Sequence, residues 1–479
     1  MAKKEEKGIQ AKKSEDMSKW YEEVCLKSEL VEFSTVKGCM VIRPRGYSIW
    51  EKIKDYFEET INKPLKVKNA YFPLFVPESF FTKEAEHAEG FSPEVAWIDK
   101  ELTGEGERLA IRPTSETIMY DSYSRWIRSY RDLPLRINQW CNVVRWETKA
   151  TRLFLRSREF LWQEGHNVYE TDEECEAETI DIIKRYAALA ENLLAMPVLV
   201  GKKSEKEKFA GAKHTYTIEG FMPDGKALQS GTSHHLGQGF GKSFNISFLG
   251  RDEKKHIPFQ NSWGLSTRLI GGLVMTHSDD KGLVLPPKVA DNKLVIIPLL
   301  FKKGKEEVIA KAKEIEKELE EFNPILDDSE EYSPGYKYAQ YELEGMPMRI
   351  ELGPRDLEAG HVMIKTRIGE EKITVPINEL KEKVPQLLDE MQNELFNRAK
   401  EKVEYLKVNV STTEEFEASI QESKLIRMNW CGETSCEEDI KEKTGASTRC
   451  TLLETEKADG ECPFCKKKAK EVMYFSRTY

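Results

Sequence analysis

No stretch of this chain strings together the roughly 18 apolar residues that a membrane-spanning helix needs. The stretch Met1–Asp16 lacks the apolar segment of a secretion signal and mixes Lys with Glu, as a polar tail does. An excess of positive charge is missing too. Lys and Arg number 73 against 83 Asp and Glu, for a net charge of −10. That excludes a globally basic nucleic-acid coat and leaves room for a local basic groove. No repeat with a period of about 20–50 residues is visible, so solenoids and propellers drop out. Cysteine is sparse and odd in number, at 9 of 479 residues. Without a secretion signal this argues against a disulfide framework. It favours a reducing, cytoplasmic setting with metal binding wherever thiols cluster.

What is present is a chain long enough for about three domains. Hydrophobic residues at 39% and aromatic residues at 10% exclude wholesale disorder. From Trp20 to Lys281 the chain alternates aromatic extended runs with helical patterns. Ala70–Val76, Leu135–Trp146 and Arg158–Tyr169 are predicted strands, and Trp50–Ile61 and Cys175–Leu194 predicted helices. This predicts an α+β fold with a mainly antiparallel sheet. Asp280–Pro287, punctuated by Gly and Pro, marks a boundary. The rhythm then changes. Leu294–Leu300, Met348–Glu351 and His361–Lys365 are predicted strands. Lys302–Glu321 and Ile377–Val403 are predicted helices, giving a small α/β unit with a mixed sheet. Five of the nine Cys fall between Lys407 and Tyr479, which marks a third unit. The expected division is a polar tail at 1–19 and units at 20–285, 286–405 and 406–479.

The segment Arg145–His166 is the most informative. Arg145 and Glu147, two apart, share one face of a strand. A charged loop with Lys149, Arg152 and Arg156 follows, and then Arg158, Phe160, Trp162, Glu164 and His166 alternate along a returning strand. Two large aromatics beside a carboxylate and an imidazole make an expensive exposed face unless a ligand covers it. The Arg residues suit phosphate, Phe160 a planar base, and Glu164 with His166 a small polar ligand. A solvated hairpin is the plainer alternative. In Arg112–Thr117, Thr114 and Glu116 point oxygens at one place, suited to an amine. A helix N-cap at Thr114 or Ser115, ahead of a helix over Thr117–Tyr130, is the structural alternative. In Gln229–Gly241, small residues let a ligand approach the backbone. Gly241-Lys242-Ser243 fails as a phosphate loop because position 236 is Leu. Adjacent His234 and His235 point opposite ways on a strand and make a poor metal site. Asn261–Gly272 opens a helix carrying Arg268, a third cation able to surround a triphosphate with Arg145 and Arg156. Finally, Cys431, Cys436, Cys462 and Cys465 form two close pairs that match a closed tetrahedral structural Zn²⁺ site, with buried free thiols as the alternative.

Taken together, these segments resemble the class II aminoacyl-tRNA synthetases, and within them prolyl-tRNA synthetases of the archaeal/eukaryote-like type, over nearly the whole chain. Motif 1 resembles Gly46–Ile53 leading to Tyr71-Phe72-Pro73, motif 2 Arg145-Trp146-Glu147 through Arg158-Glu159-Phe160, and motif 3 Gly264–Arg268. The prolyl-type features are Pro113–Glu116, Trp162–His166 and Gly231–His235, and GPRD at Gly353–Asp356 resembles an anticodon-binding segment. The resemblance implies an antiparallel catalytic domain, an α/β anticodon-binding domain and a small zinc-containing α+β C-terminal domain. It implies a homodimer through the motif 1 region, with ATP, Mg²⁺, L-proline and tRNA(Pro) as partners and neither DNA nor membrane.

It also implies roles. Arg145 and Arg268 are the catalytic pair, with Arg145 on the α-phosphate and the attacking carboxylate. Glu147 accepts from the adenine amino group, Phe160 and Arg268 sandwich the adenine, and Arg156 holds the distal phosphates with Mg²⁺. Gln229, Thr232 and Ser266 complete the ATP site. Thr114, Glu116, Trp162, Glu164, His166, Phe209 and His234 form the proline pocket around Arg145. Arg349, Glu351, Arg355 and Asp356 contact tRNA. Only 101 residues separate Phe160 from Ser262, so a large bacterial-type editing insertion has no place there. Two other classes are possible. A non-catalytic tRNA-binding relative would have lost one of Arg145, Glu147 or Arg268. A zinc hydrolase would need an open ligand position, which four thiolates do not leave. Threonine or serine specificity is the nearest rival within the class.

Overall fold

The computed structural model describes residues 8–85, 95–104, 106–146, 150–454 and 456–479. Its centre is an antiparallel sheet. In chain order the strands are β1 (Lys68–Asn69), β2 (Leu135–Val144), β3 (Glu159–Tyr169), β4 (Val198–Lys202), β5 (His214–Phe221), β6 (Lys226–Gly237) and β7 (Phe259–Ser266). β2, β3, β7, β6, β5 and β4 pair antiparallel in that spatial order, and β1 joins β2 in parallel. Alternation along β3 sends Phe160, Trp162, Glu164 and His166 to one face. Register sets Glu164 opposite Gly264 and Gln139.

The helix α1 (Pro44–Phe57) starts six residues before the predicted Trp50, because Pro44 at its first turn needs no donor. Helix α2 (Glu116–Trp126) begins at Glu116 and carries Tyr120 and Tyr123 inward. Helix α3 (Asp172–Asn192) is capped by the Thr171 side chain. It packs, with α4 (Arg268–His277), on the other side of the sheet around buried Tyr186, Trp263 and Leu269. The predicted strand over Ala70–Val76 is mostly absent. Pro73 has no N–H to give to a ladder, and Phe72 instead donates its N–H to the Gln139 side chain, leaving a strand at Phe75–Pro77 only.

The second unit is a mixed five-stranded sheet. Parallel β8 (Leu294–Pro298), β9 (Ile325–Leu326) and β10 (Met348–Leu352) are followed by antiparallel β11 (His361–Thr366) and β12 (Ile373–Pro376). Helices α5 (Lys305–Glu318) and α6 (Leu380–Leu406) frame it. Its core is a separate cluster with fully buried Ile296, Ile350 and Ile364.

The last stretch contains β13 (Lys407–Asn409), β14 (Leu425–Trp430), α7 (Thr434–Thr444), β15 (Ser447–Thr448), β16 (Thr451–Leu452) and β17 (Glu471–Thr478). It has its own core of Phe416, Trp430, Met473 and Phe475. Its strands nevertheless extend the catalytic sheet: β17 pairs with β6 at Lys226–Ala227, and β16 pairs with β4. The first and last stretches therefore share one twelve-stranded sheet.

Candidate active site

A cavity of about 280 Å³ opens on the catalytic sheet. Thr114, Glu116, Arg145, Phe160, Trp162, Glu164, His166, Phe209, Gln229, Thr232, His234, Ser266 and Arg268 all line it. Residues more than 150 positions apart in sequence thus meet around one space. Arg156 lines a neighbouring cavity with Lys37, Arg152 and Tyr479. Glu147 lies outside the described residues.

One end is acidic. Glu164 is 2% exposed and His166 1%. The imidazole Nε2 lies 3.0 Å from a Glu164 oxygen, and Nδ1 lies 3.2 Å from the Tyr120 hydroxyl. Ser115 donates to Glu164 through its N–H at 3.1 Å and through its hydroxyl, and Gln139 adds an N–H at 3.1 Å. Burial pushes the Glu164 carboxyl up, but the His166 hydrogen bond and charge, with Ser115 and Gln139, outweigh it and hold it low. Burial likewise pulls His166 down, and its hydrogen bond to Glu164 with the Glu116 and Glu164 charges raises it above its ordinary value. The two form a buried ion pair. The Thr114 hydroxyl donates to Glu116, whose carboxylate is 4% exposed. Ser115 sits at the N-cap position of α2, yet its side chain makes no capping bond and serves Glu164 instead. The capping alternative is thereby set aside.

The other end is cationic. Arg145 donates from Nε to the Pro113 carbonyl at 3.1 Å and lies 5.5 Å from both the Phe160 and Trp162 ring centres. Arg268 donates to the Leu155 carbonyl at 3.1 Å and the Gln229 carbonyl at 3.3 Å. Burial, then the Arg145 charge, pulls Arg268 down to about 10 despite the pull of Glu219, and Arg156 acts in the same direction. Three guanidinium groups repel one another here, and an anion would relieve them.

The side wall is Phe209, whose ring centre lies 4.8 Å from that of His234. His234 accepts or donates at 2.9 Å with the Thr215 hydroxyl, and burial pulls its pKa down to about 3, so it is neutral. Its neighbour His235 faces the opposite side of β6 and pairs with Asp172 at 3.0 Å, as alternation requires. Gly165, between Glu164 and His166, has no room for a side chain: a Cβ there would lie 2.2 Å from the Trp263 ring. Sequence reasoning missed Glu207, Thr215, Ser262 and Trp263, which also line the cavity. Ser262 lies four residues from Ser266 on β7, so period-two alternation from Ser266 would have found it. The Ser262 hydroxyl is buried without a hydrogen-bond partner among the described residues.

Away from the cavity, the thiols of Cys431, Cys436, Cys462 and Cys465 lie within 4.8 Å of one another. The Cys436 and Cys462 sulfurs are 3.8 Å apart. A tetrahedron with Zn–S arms of about 2.3 Å has edges of about 3.8 Å, so the donor set and its spacing fit zinc. Hydrogen bonding from Cys436 is the largest influence on Cys462 and pulls that thiol down. In the second unit, Arg349 and Glu351 are buried and pair at 2.9 Å, with Tyr338 and Lys372 also on Glu351. Asp356 accepts from the Gly353 N–H at 2.8 Å and pairs with His361 at 3.3 Å. Arg355 is exposed. The four do not present one open face: direct access belongs to Arg355, while Arg349 and Glu351 satisfy each other.

A mainly antiparallel sheet bearing a carboxylate–imidazole pair at one end of a cavity and converging guanidinium groups at the other defines a class II aminoacyl-tRNA synthetase. Residues 97–277 match the tRNA synthetase class II core domain (G, H, P, S and T), residues 293–387 the anticodon binding domain, and residues 413–479 the prolyl-tRNA synthetase C-terminal domain. The chain is 47% identical to proline--tRNA ligase 2 of Bacillus thuringiensis (strain Al Hakam) over 484 residues, covering all of both chains. It is 49% identical to the proline--tRNA ligase of Alkaliphilus oremlandii, over 97% of this chain and 96% of that one. The crystal structure of prolyl-tRNA synthetase from Cryptosporidium parvum complexed with L-proline and AMP is similar at a TM-score of 0.93 and 42% identity, over 98% of this chain and 97% of that one. The chain belongs to the prolyl-tRNA synthetase family, the proline--tRNA ligases.

Proposed function

We propose that the cavity joins L-proline to ATP in two steps. The proline carboxylate oxygen bonds to the α-phosphorus while the bond to the bridging oxygen breaks and pyrophosphate leaves. The 3′-terminal ribose hydroxyl of tRNA(Pro) then attacks the carbonyl carbon and releases AMP. No covalent bond to the enzyme is needed, so catalysis is positioning plus charge neutralisation. The observation that carries this is the polarity of the cavity. Glu116 suits the cationic ring nitrogen, and Thr114, Trp162, Glu164, His166, Phe209 and neutral His234 enclose the ring. Arg145, between the two ends, orients the carboxylate and the α-phosphate. Phe160 and Arg268 take the adenine, Glu147 its amino group, Gln229, Thr232 and Ser266 the ribose and phosphates, and Arg156 the distal phosphates. Mg²⁺ arriving on ATP would add neutralising charge to those phosphates. Arg349, Glu351, Arg355 and Asp356 form the anticodon-side contact, with Arg355 the exposed member.

The four-cysteine site would hold Zn²⁺ for structure. Separate apolar cores around Leu269, Ile350 and Phe416 support catalytic, anticodon-binding and zinc domains over 20–285, 286–405 and 406–479. Exposed Phe33, Val41, Tyr47, Tyr71 and Phe75 around the motif 1 region support a homodimer. The 101 residues between Phe160 and Ser262 are taken up by α3, β4, β5, β6 and their connections, which supports a chain without a bacterial-type editing insertion. Nine free cysteines suit the cytoplasm. The test is a split of constants in pyrophosphate exchange. Glu116→Gln should raise KM for proline and Arg268→Lys KM for ATP, and the reverse assignment would refute the polarity.

A further inference from the structure

The C-terminal stretch reaches the wall of the cavity. The loop between β4 and β5, residues 203–213, carries Glu207 and Phe209, both of which line the cavity. Partners from more than 200 positions later hold that loop. The Ser204 hydroxyl donates to Glu437 at 3.2 Å, and Thr448 donates to the same oxygen at 2.6 Å. Lys206 pairs with Glu438 at 3.0 Å. The Glu207 carboxylate lies 3.7 Å from Arg449 and 3.8 Å from Lys441.

Beneath the loop, Glu219 is held from two sides. Lys203 lies 2.7 Å from one of its oxygens and Arg449 3.5 Å from the other, and all three side chains are 5% exposed or less. Breaking a charge pair this deeply buried by removing one partner is costly, because the other charge remains. Arg449 is itself fixed: it donates to the Ser447 hydroxyl at 2.9 Å, and its N–H donates to the Tyr474 carbonyl at 2.7 Å. The backbones are equally close. A Cβ on Gly201 would lie 2.3 Å from the Thr451 carbonyl oxygen, so β16 seats directly on β4. The catalytic stretch holds the two ends of the loop, where the Lys203 and Lys213 N–H groups donate to the Thr215 and His235 carbonyls at 2.9 and 2.7 Å, and the C-terminal stretch holds the Ser204–Glu207 segment between them. Ser204 accepts from the Glu207 N–H at 3.2 Å, and Phe209 donates its N–H to Thr215 at 2.9 Å.

We propose that Ser204, Glu437 and Arg449 form a clamp through which the C-terminal stretch sets the position of Phe209 against His234. Arg449 is then a positioning residue for a substrate it does not touch, and the C-terminal stretch is part of the amino-acid site. This rests on the reading that the Phe209 end of the cavity takes proline.

The test compares full-length Arg449→Ala, Arg449→Lys, Ser204→Ala and Phe209→Ala by pyrophosphate exchange, with separate KM values for proline and ATP. Loss of a hydrogen bond to a charged group corresponds to roughly ten- to 150-fold. Arg449→Ala and Ser204→Ala should raise KM for proline by about that factor and leave KM for ATP within about twofold. Arg449→Lys should recover most of the loss. Ser204→Ala removes one oxygen atom and decides the matter if Arg449→Ala fails to fold. Folded Ser204→Ala and Arg449→Ala enzymes with the wild-type KM for proline, beside a raised value in Phe209→Ala, would overturn the clamp and leave the pocket reading standing. If all three raise KM for ATP instead, the clamp stands and the pocket reading falls.

Discussion

Glu164 and His166 stand two residues apart on β3, point the same way, and meet at 3.0 Å inside the protein. The sign of their pH dependence follows from the shifts. His166 is raised above its ordinary 6.5, so its contribution to stability is complete below that value and is lost as pH rises through the raised one. Glu164 is lowered from its ordinary 4.5, so its contribution is complete above that value and is lost as pH falls through the lowered one. Thermal midpoints of wild type and His166→Gln should therefore differ most between these two values, by an amount equivalent to roughly 1–3 kcal/mol. The gap should close above pH 6.5. A gap that widens steadily toward about pH 9 would contradict the ion pair.

Arg145→Ala should lower the rate of pyrophosphate exchange by about 10²–10³, the worth of one preorganised charge at a reacting group. A rate within about threefold of wild type would remove Arg145 from the chemistry.

Much of this site was legible beforehand, and the reason is periodicity. Alternation on β3 sent Phe160, Trp162, Glu164 and His166 to one face, and on β6 it separated His234 from His235. The cysteine spacing likewise predicted four converging thiols. Glu207 was not legible, because a loop has no period and its position is set by Glu437, Glu438, Lys441 and Arg449, far away in sequence. The burial of Arg349 and Glu351 was not legible either: alternation on β10 pairs them on one face, but cannot show that Tyr338 and Lys372 cover it. The sheet shared by the first and last stretches was invisible for the same reason, since two residue pairs at β6 and β17 carry no local signal.

Metal analysis of the purified chain should find about one zinc per chain, held by the four thiols. Cys462→Ser with Cys465→Ser should lose it and lower the thermal midpoint, since these thiols join α7 to the loop before β17. Zinc that survives the double substitution, or none in the wild type, would refute the assignment.

Arg355→Ala should raise KM for tRNA in aminoacylation and leave pyrophosphate exchange normal, because Arg355 is exposed on the second unit and lines no part of the cavity. Removing one phosphate or base contact is worth roughly 1–3 kcal/mol. An equal fall in exchange would mean that the units do not divide activation from tRNA binding.

The most direct test of the account is pyrophosphate exchange by the purified enzyme with each of the twenty amino acids. A pocket shaped by Phe209, Trp162 and His234 should accept proline best. Smaller side chains should enter at a cost of about 1–3 kcal/mol per missing methylene, or about 10–200-fold. Proline should therefore lead, with cysteine and then alanine measurable behind it. Threonine or serine exchanging as fast as proline would contradict the claim that this cavity is built around the proline ring.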